Sequence, residues 1–307
     1  MKLKSKKKNH WKENIPFYFM ALPGLIYLLI NNYLPMFGLG MAFQNVNFRK
    51  GMFGGDFVGL SNFEYLFSSS EAFTMFRNTI GYNLIFLVLG PVCGITVAIF
   101  LNNIRQKYAS RVYQTLVLLP HLISYVVVSY LVYALLNPDA GLLNSLLGMF
   151  GVEKIKWYSE ASYWPVILVL VNIWKSIGFS SIVYLSSIVG ISGEYYEAAN
   201  LDGASRWQQV KYITLPLLKP TVITMTILGL GSIFRSDFGL FYQVTLNQGA
   251  LIPTTQTIDT YVFRGLMELG NLGMSAAAGF FQSVVGFITV ITANAVIRKI
   301  SKDNALF

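Results

Sequence analysis

The feature that most limits how this chain can fold is a set of six long apolar runs, at 17–43, 79–101, 113–136, 163–189, 221–242 and 273–297. A bilayer core about 30 Å thick is crossed by roughly 20 apolar residues in a helix, so each run is long enough to span. Inside a bilayer the backbone has no water to bond, and a helix satisfies its own amides segment by segment. The expected fold is an all-α membrane protein with six transmembrane helices. Pro23 and Pro35 punctuate the first run, and Arg235 and Asp237 interrupt the far end of the fifth.

Composition agrees. Charged residues make up 12% of the 307, against about a quarter in a soluble domain, too few to cover a water-exposed surface. Disorder, a collagen repeat and nucleic-acid binding through a charged face are excluded. The single cysteine, Cys93, rules out a disulfide framework and a Cys-based zinc site, and His10 and His121 are the only imidazoles. No metal is expected. Residues 1–12 carry six lysines ahead of the first run. That run is about twice the length of a signal h-region and ends at no small-residue cleavage site, so an uncleaved first helix is expected.

With six spans both ends lie on one side. Fifteen lysines and arginines fall there, seven fall on the other, and Lys175 lies within the fourth run. The bias predicts cytoplasmic N and C termini, and it makes the net charge of +9 a topology signal. The expected layout is a basic tail at 1–14, one six-helix membrane domain at 15–300 and a short tail at 301–307. The outer loops 44–76, 137–162 and 243–272 are too short to fold as separate domains. The two halves show no paired Gly/Pro-broken segments of the kind that mark inverted-repeat carriers.

The inner loop 190–220 holds Glu197-Ala198-Ala199-Asn200-Leu201-Asp202-Gly203 and, nine residues on, Ile213-Thr214-Leu215-Pro216. Residues 192–202 read as a short helix, with Glu194 in the first turn where the helix dipole favours an anion. Gly203 supplies the backbone freedom for a stop or sharp turn. Residues 204–212 read as a second short helix, with Pro216 and Pro220 opening the fifth span. Such a helix-turn-helix, with small residues at its apex, suits either a docking knob or an ordinary interfacial loop.

The spacing Glu-Ala-Ala, three residues, Gly, nine residues, Ile-x-Leu-Pro resembles the EAA loop of binding-protein-dependent ABC importer permeases, without departure. Further strings over nearly the whole chain are similar to the oligosaccharide and polysaccharide branch of that family. They include Asn32-Tyr33-Leu34-Pro35, Arg77-Asn78-Thr79, Leu119-Pro120-His121, Gly141-Leu142-Leu143-Asn144, Ile173-Trp174-Lys175-Ser176-Ile177-Gly178 and Asp259-Thr260-Tyr261-Val262. The resemblance implies a type I ABC importer permease fold in a bacterial plasma membrane. It also implies pairing with a second related permease, two cytoplasmic ATPase subunits and an extracytoplasmic solute-binding protein. Carried over by position, Glu197, Ala198, Ala199 and Gly203 belong to ATPase coupling, with Asp202 and Arg206 as flanking contacts. The chain has no G-x-x-x-x-G-K-[ST] phosphate loop and no nucleophile elbow or His-containing triad. No catalytic residue and no bound cofactor are therefore expected, and ATP and Mg are left to the partner ATPases.

Charge inside a span marks a candidate pathway, because burying it costs about 2.5–3.5 kcal/mol on the insertion scale. Two roles are open to Lys175: a cavity cation beside Trp174, whose ring can stack on a sugar, or a packing lysine paired across an interface. The resemblance favours the second. A helix continued from Lys219 puts Asp237 about 27 Å on, in the outer part of the membrane. There Arg235 and Asp237, with Phe238, Phe241 and Tyr242, suit a hydroxyl-rich ligand or an interfacial ion pair in an aromatic belt. A non-sugar solute on the same architecture is the alternative; an ion-coupled carrier or membrane enzyme is the remote one.

Overall fold

The computed structural model describes residues 11–300 except 47, 48, 50, 52, 53, 69 and 269. The tails expected at 1–14 and 301–307 lie mostly or wholly outside the described residues. The molecule is helical, with a two-residue antiparallel ribbon pairing β1 (Gln44–Asn45) with β2 (Asp56–Phe57) in the first outer loop.

The long helices are α1 (Trp11–Leu28), α3 (Ser70–Asn102), α7 (Trp164–Val189), α10 (Leu215–Gly231) and α13 (Leu272–Ile300). Shorter helices cover the loops: α2 (Ser61–Ser68), α6 (Leu142–Met149), α8 (Gly193–Leu201), α9 (Arg206–Gln209), α11 (Ile252–Thr255) and α12 (Ile258–Met267). Five spans are long and apolar enough to cross a membrane by themselves. The sixth is a bent pair, and the chain is a multi-pass membrane protein.

Three apolar runs depart from single straight helices. The first passes from α1 through a π-helical turn at Leu29–Tyr33 into a 3-10 segment at Leu34–Phe43. All side chains at 14–37 are exposed. The third run, expected as one helix, is α4 (Lys107–Leu122) and α5 (Tyr125–Leu136) meeting at 95°. Pro120 lies in the last turn of α4, and Ser124 is extended and caps α5 by accepting from Val127 N–H. The fifth run stops being helical at Gly231, and the backbone resumes as a π-helical turn only at Gly239–Gln243. Asp237 therefore does not lie on a helix continued from Lys219.

Three apolar clusters hold the spans together. One joins Tyr82, Val132, Trp157, Trp164, Leu168, Leu240 and Phe241. A second packs Leu66, Met75, Ile258 and Met274. The third, around Ala98, Tyr184, Ile188 and Leu218, closes the ends of α3, α7 and α10 nearest the 190–220 loop.

Candidate functional site

The two breaks are where the sequence placed charge, and neighbouring helices satisfy the backbone there. At the α4–α5 break, Lys175 of α7 donates to the carbonyls of Pro120 (3.3 Å), His121 (3.1 Å) and Ile123. Its ammonium also sits 4.7 Å from the centroid of the Tyr125 ring. Lys175 is buried, and its donors are committed to carbonyls at the helix end; the Ile123 amide also donates to that of Pro120 (3.3 Å). Trp174, its neighbour in sequence, points elsewhere. It is 44% exposed and lines an apolar groove of about 680 Å³ with Val128, Leu131, Leu135 and Leu170. The two residues do not share a wall.

At the second break, Asn83 of α3 donates to the carbonyls of Ile233 (2.9 Å) and Arg235 (2.8 Å). Gln282 of α13 donates to that of Phe234 (2.8 Å). Asp259 of α12 accepts from Ser236 N–H (2.6 Å), Ser236 Oγ (2.9 Å) and Gln282 Nε2 (3.2 Å). Non-helical backbone at membrane depth survives only where protein or a wet cavity meets it, and this knot supplies the protein. Asp259→Asn weakens the Ser236 amide and hydroxyl contacts, and losing charge-assisted bonds of this kind costs about 1.5–3 kcal/mol. The expected result is a detergent unfolding midpoint several degrees lower, read by intrinsic fluorescence.

The knot presents Arg235 and Asp237 outward, both exposed. They do not form the ion pair the sequence left open. Asp237 accepts from Leu240 N–H (3.3 Å). The Arg235 guanidinium makes no hydrogen bond or ion pair among the described residues. Beside them Phe238 and Tyr242 stack at 4.7 Å, and Phe263 of α12 closes the set at 4.6 and 5.0 Å. Phe241, in contrast, is buried in the first of the apolar clusters. An unpaired guanidinium, a carboxylate and half-buried ring faces can bind a polyhydroxylated ligand through charge-assisted bonds and stacking.

Beside the break lies an open groove of about 290 Å³, largely apolar with Phe86, Leu87 and Met225, whose lining also includes Asn83, Asn172, Ser176, Ser180 and Ser232. The Asn172 amide makes no hydrogen bond among the described residues. Charge-based reading passed over these uncharged polar groups, although the spacing of Asn172, Ser176 and Ser180 places them on one helix face. On the outer side Leu246 and Asn247 hold left-handed backbone, φ 52° and 48°, and Arg264 Nη1 donates to Asn247 Oδ1 (3.4 Å). Burial holds the Arg264 guanidinium below the ordinary arginine range, and Glu268, Glu71 and Tyr242 act against it.

On the opposite side the 190–220 loop folds largely as expected. Ser192 caps α8 with its hydroxyl, Glu194 lies in the first turn, and Asp202 ends the helix. Gly203 has φ +76°, a conformation that costs an L side chain about 1–2 kcal/mol. Glu197, Ala198, Asp202 and Gly203 are exposed, and Ala199 is half-buried. Leu201, at 90% exposed, stands beside them; the sequence motif gave it no role because it falls at one of the motif's variable positions. Residues after Gly203 depart from expectation. A Ser205–Gln208 capping box starts α9, which runs through a π-helical turn at Val210–Thr214 straight into α10. The apex is braced by Gln209 Nε2 to Asn200 Oδ1 (2.7 Å) and by Tyr196 to Thr214 (3.0 Å). Arg206 points inward, donating to Asn103 Oδ1 (3.4 Å) just beyond the end of α3.

The knob, braced and continuous with a broken span, lies in a stretch of chain with known relatives. Residues 90–302 fit the family described as binding-protein-dependent transport system inner membrane component. The chain belongs to that family. The permease is 34% identical to the polygalacturonan/rhamnogalacturonan transport system permease protein YteP of Bacillus subtilis (strain 168), over 93% of this chain and 88% of the relative. Protein LplB of the same organism is 31% identical over 93% and 89%. A crystal structure of a bacterial alginate ABC transporter, in complex with an alginate pentasaccharide-bound periplasmic protein, holds a chain of the same fold. Its TM-score is 0.85 at 34% identity, covering 95% of the permease and 96% of that chain.

Proposed function

We propose that this permease is one of two related membrane subunits of an ATP-driven, binding-protein-dependent importer of an oligosaccharide in a bacterial plasma membrane. Its termini face the cytoplasm, two ATPase subunits bind and hydrolyse Mg-ATP on that side, and a solute-binding protein delivers the sugar outside. This chain takes no catalytic part. The observation that carries the reading is a continuous helical rod. Residues 206–231 form one 26-residue span with the exposed Gly203 turn before its inner end and the Arg235–Asp237 break just beyond its outer end.

In the proposed cycle Glu197, Ala198, Ala199, Leu201, Asp202 and Gly203 sit in a groove of an ATPase subunit. Arg206 braces the knob against α3. ATPase closure moves the rod, and the break at its outer end changes the access of the cavity. The sugar binds the two states unequally, as any such switch requires. Arg235, Asp237, Phe238 and Tyr242 line its path, followed by Asn172, Ser176 and Ser180. The unpaired Arg235 favours an acidic saccharide, as alginate is for the structural relative that imports it.

The test is a mild-detergent pull-down of wild type against Gly203→Trp. Among the described residues nothing lies within 4 Å of a Cβ at that position, so the variant pays only the left-handed backbone cost of about 1–2 kcal/mol, while its bulk stands on the docking face. Wild type is expected to bring down an ATPase and a second permease, and the variant to lose the ATPase alone. A wild type that purifies alone and stable overturns the proposal.

A further inference from the structure

Two cavities meet at the start of the helical rod. One is polar, about 210 Å³, and lies between the knob and the ends of α3 and α7, lined by Asn102, Asn200, Gln209 and Thr214. The other is an apolar groove of about 490 Å³ between α3 and the rod, walled by Val92, Ile95, Phe100, Trp207 and Leu215. Ile99, Asn103, Arg206 and Val210 line both, so the apolar groove opens at one end onto polar groups.

Its place on the molecule decides what fills it. Gly94 is where α3 packs on Ser180 and Tyr184 of α7, and Val92 and Thr96 lie about 160° round the helix from it. The apolar groove therefore faces away from α7 and from the groove beside the fifth-span break, which takes in Gly90 and Ser180. Val92 and Phe100 are 57% and 68% exposed. Val92 to Asn103 is about 16 Å along the axis, close to one leaflet of a bilayer core about 30 Å thick. The span 206–231 has 26 residues, about 39 Å of helix, so its first residue stands at headgroup depth. Trp207, 71% exposed, carries the amphipathic ring that favours that depth.

Arg206 meets this interface with most of its donors uncommitted. Its Nη1 donates to Asn103 Oδ1 (3.4 Å), and it makes no other hydrogen bond or ion pair among the described residues. The Asn102 amide has no hydrogen-bond partner among them either. A guanidinium offers five donors in a fork that fits a phosphate bidentately. The knob's side of the chain also holds its excess of lysine and arginine, and basic pockets between spans draw anionic headgroups. A free phosphate leaves the apolar half of the groove unfilled, whereas a phospholipid fills both halves.

We propose that this composite groove binds one anionic phospholipid, with its phosphate on Arg206 and Asn102 and one acyl chain between α3 and the rod. Bound there, the phosphate bridges the end of α3 and the start of the rod and ties the knob to the bilayer. The inference rests on the proposed orientation only in naming the leaflet as cytoplasmic.

The transporter is reconstituted in nanodiscs of equal phosphatidylcholine and phosphatidylglycerol and extracted into mild detergent, and its retained lipids are counted by native mass spectrometry. Wild type is expected to retain one phosphatidylglycerol that Thr96→Trp in this chain does not. Thr96 is exposed in the groove, so the indole fills it without disturbing the packing on α7. Arg206→Gln keeps the groove and is expected to lose the preference for phosphatidylglycerol over phosphatidylcholine at least about tenfold, the lower end for a hydrogen bond to a charged group. If Arg206→Gln does not assemble, Thr96→Trp decides alone, because it leaves the knob untouched. Glycerol phosphate, a headgroup without chains, should not displace the lipid. The proposal is overturned by a wild type that retains no lipid or holds phosphatidylcholine as tightly, by displacement with glycerol phosphate, or by Thr96→Trp retaining the same lipid. A wild type that keeps the lipid yet brings down no ATPase supports this site while it fails the importer reading.

Discussion

Replacing Gly178 with alanine is expected to abolish accumulation of the folded permease. A Cβ built on Gly178 lies 2.0 Å from the Val117 carbonyl oxygen, 2.6 Å from its carbon and 2.9 Å from Leu118 Cα. All three are backbone atoms, so no rotamer change relieves the overlap, and α4 must move bodily away from α7. Overpacking of a tight interior costs about 1–3 kcal/mol and at times more, and a main-chain collision belongs at the upper end. Small residues let membrane helices approach closely where no hydrophobic force drives them together. Here the approach has a second consequence. Lys175 lies one helical turn before Gly178 on the same face, and it reaches the carbonyls at 120–123 only because the two helices touch. The check is the monodisperse fraction of a fluorescently tagged variant on size exclusion. A normal peak with normal transport contradicts the contact.

Lys175→Met is expected to leave a protein that inserts but transports poorly. A lone cation in a span costs about 2.5–3.5 kcal/mol, and methionine removes that cost. It also strands the carbonyls of His121 and Ile123, each worth about 1–3 kcal/mol if left buried without a donor, while that of Pro120 keeps the Ile123 amide. Two orphaned acceptors at a bend offset the relief of one charge. The third span then bonds internally or admits water, and the 95° bend opens. Uptake should fall by an order of magnitude and the unfolding midpoint should drop. Lys175→Gln, which keeps two donors, should recover part of both. Equal behaviour of Met and wild type in uptake and melting would remove the clamp from the account.

The string Ile173-Trp174-Lys175-Ser176-Ile177-Gly178 thus acquires a physical explanation. Gly178 sets the approach, Lys175 uses it, Ser176 faces the groove beside the fifth-span break, and Trp174 points into an apolar groove on another face.

Six apolar runs, the lysine and arginine bias and the EAA spacing are local or statistical properties of the chain. They settled the class, the number of crossings and the position of the α8–Gly203 knob before any packing was known. The helix start at Ser192 and the stop at Asp202 and Gly203 were legible because capping chemistry acts within a few residues. The two breaks were not. The 113–136 run is apolar throughout, and its turn at 123–124 exists because Lys175, some fifty positions on, satisfies what the bend exposes. The 221–242 run likewise opens at Ser232 because Asn83, Asp259 and Gln282, from three other helices, bond the loosened backbone. Hydropathy measures the cost of placing side chains in lipid, and it carries no term for a carbonyl met by a distant donor. Sequence alone determined that this chain crosses a membrane and where the exposed knob lies between its spans. Only the tertiary structure decided where the crossing helices break, because the donors that satisfy the broken backbone come from distant helices.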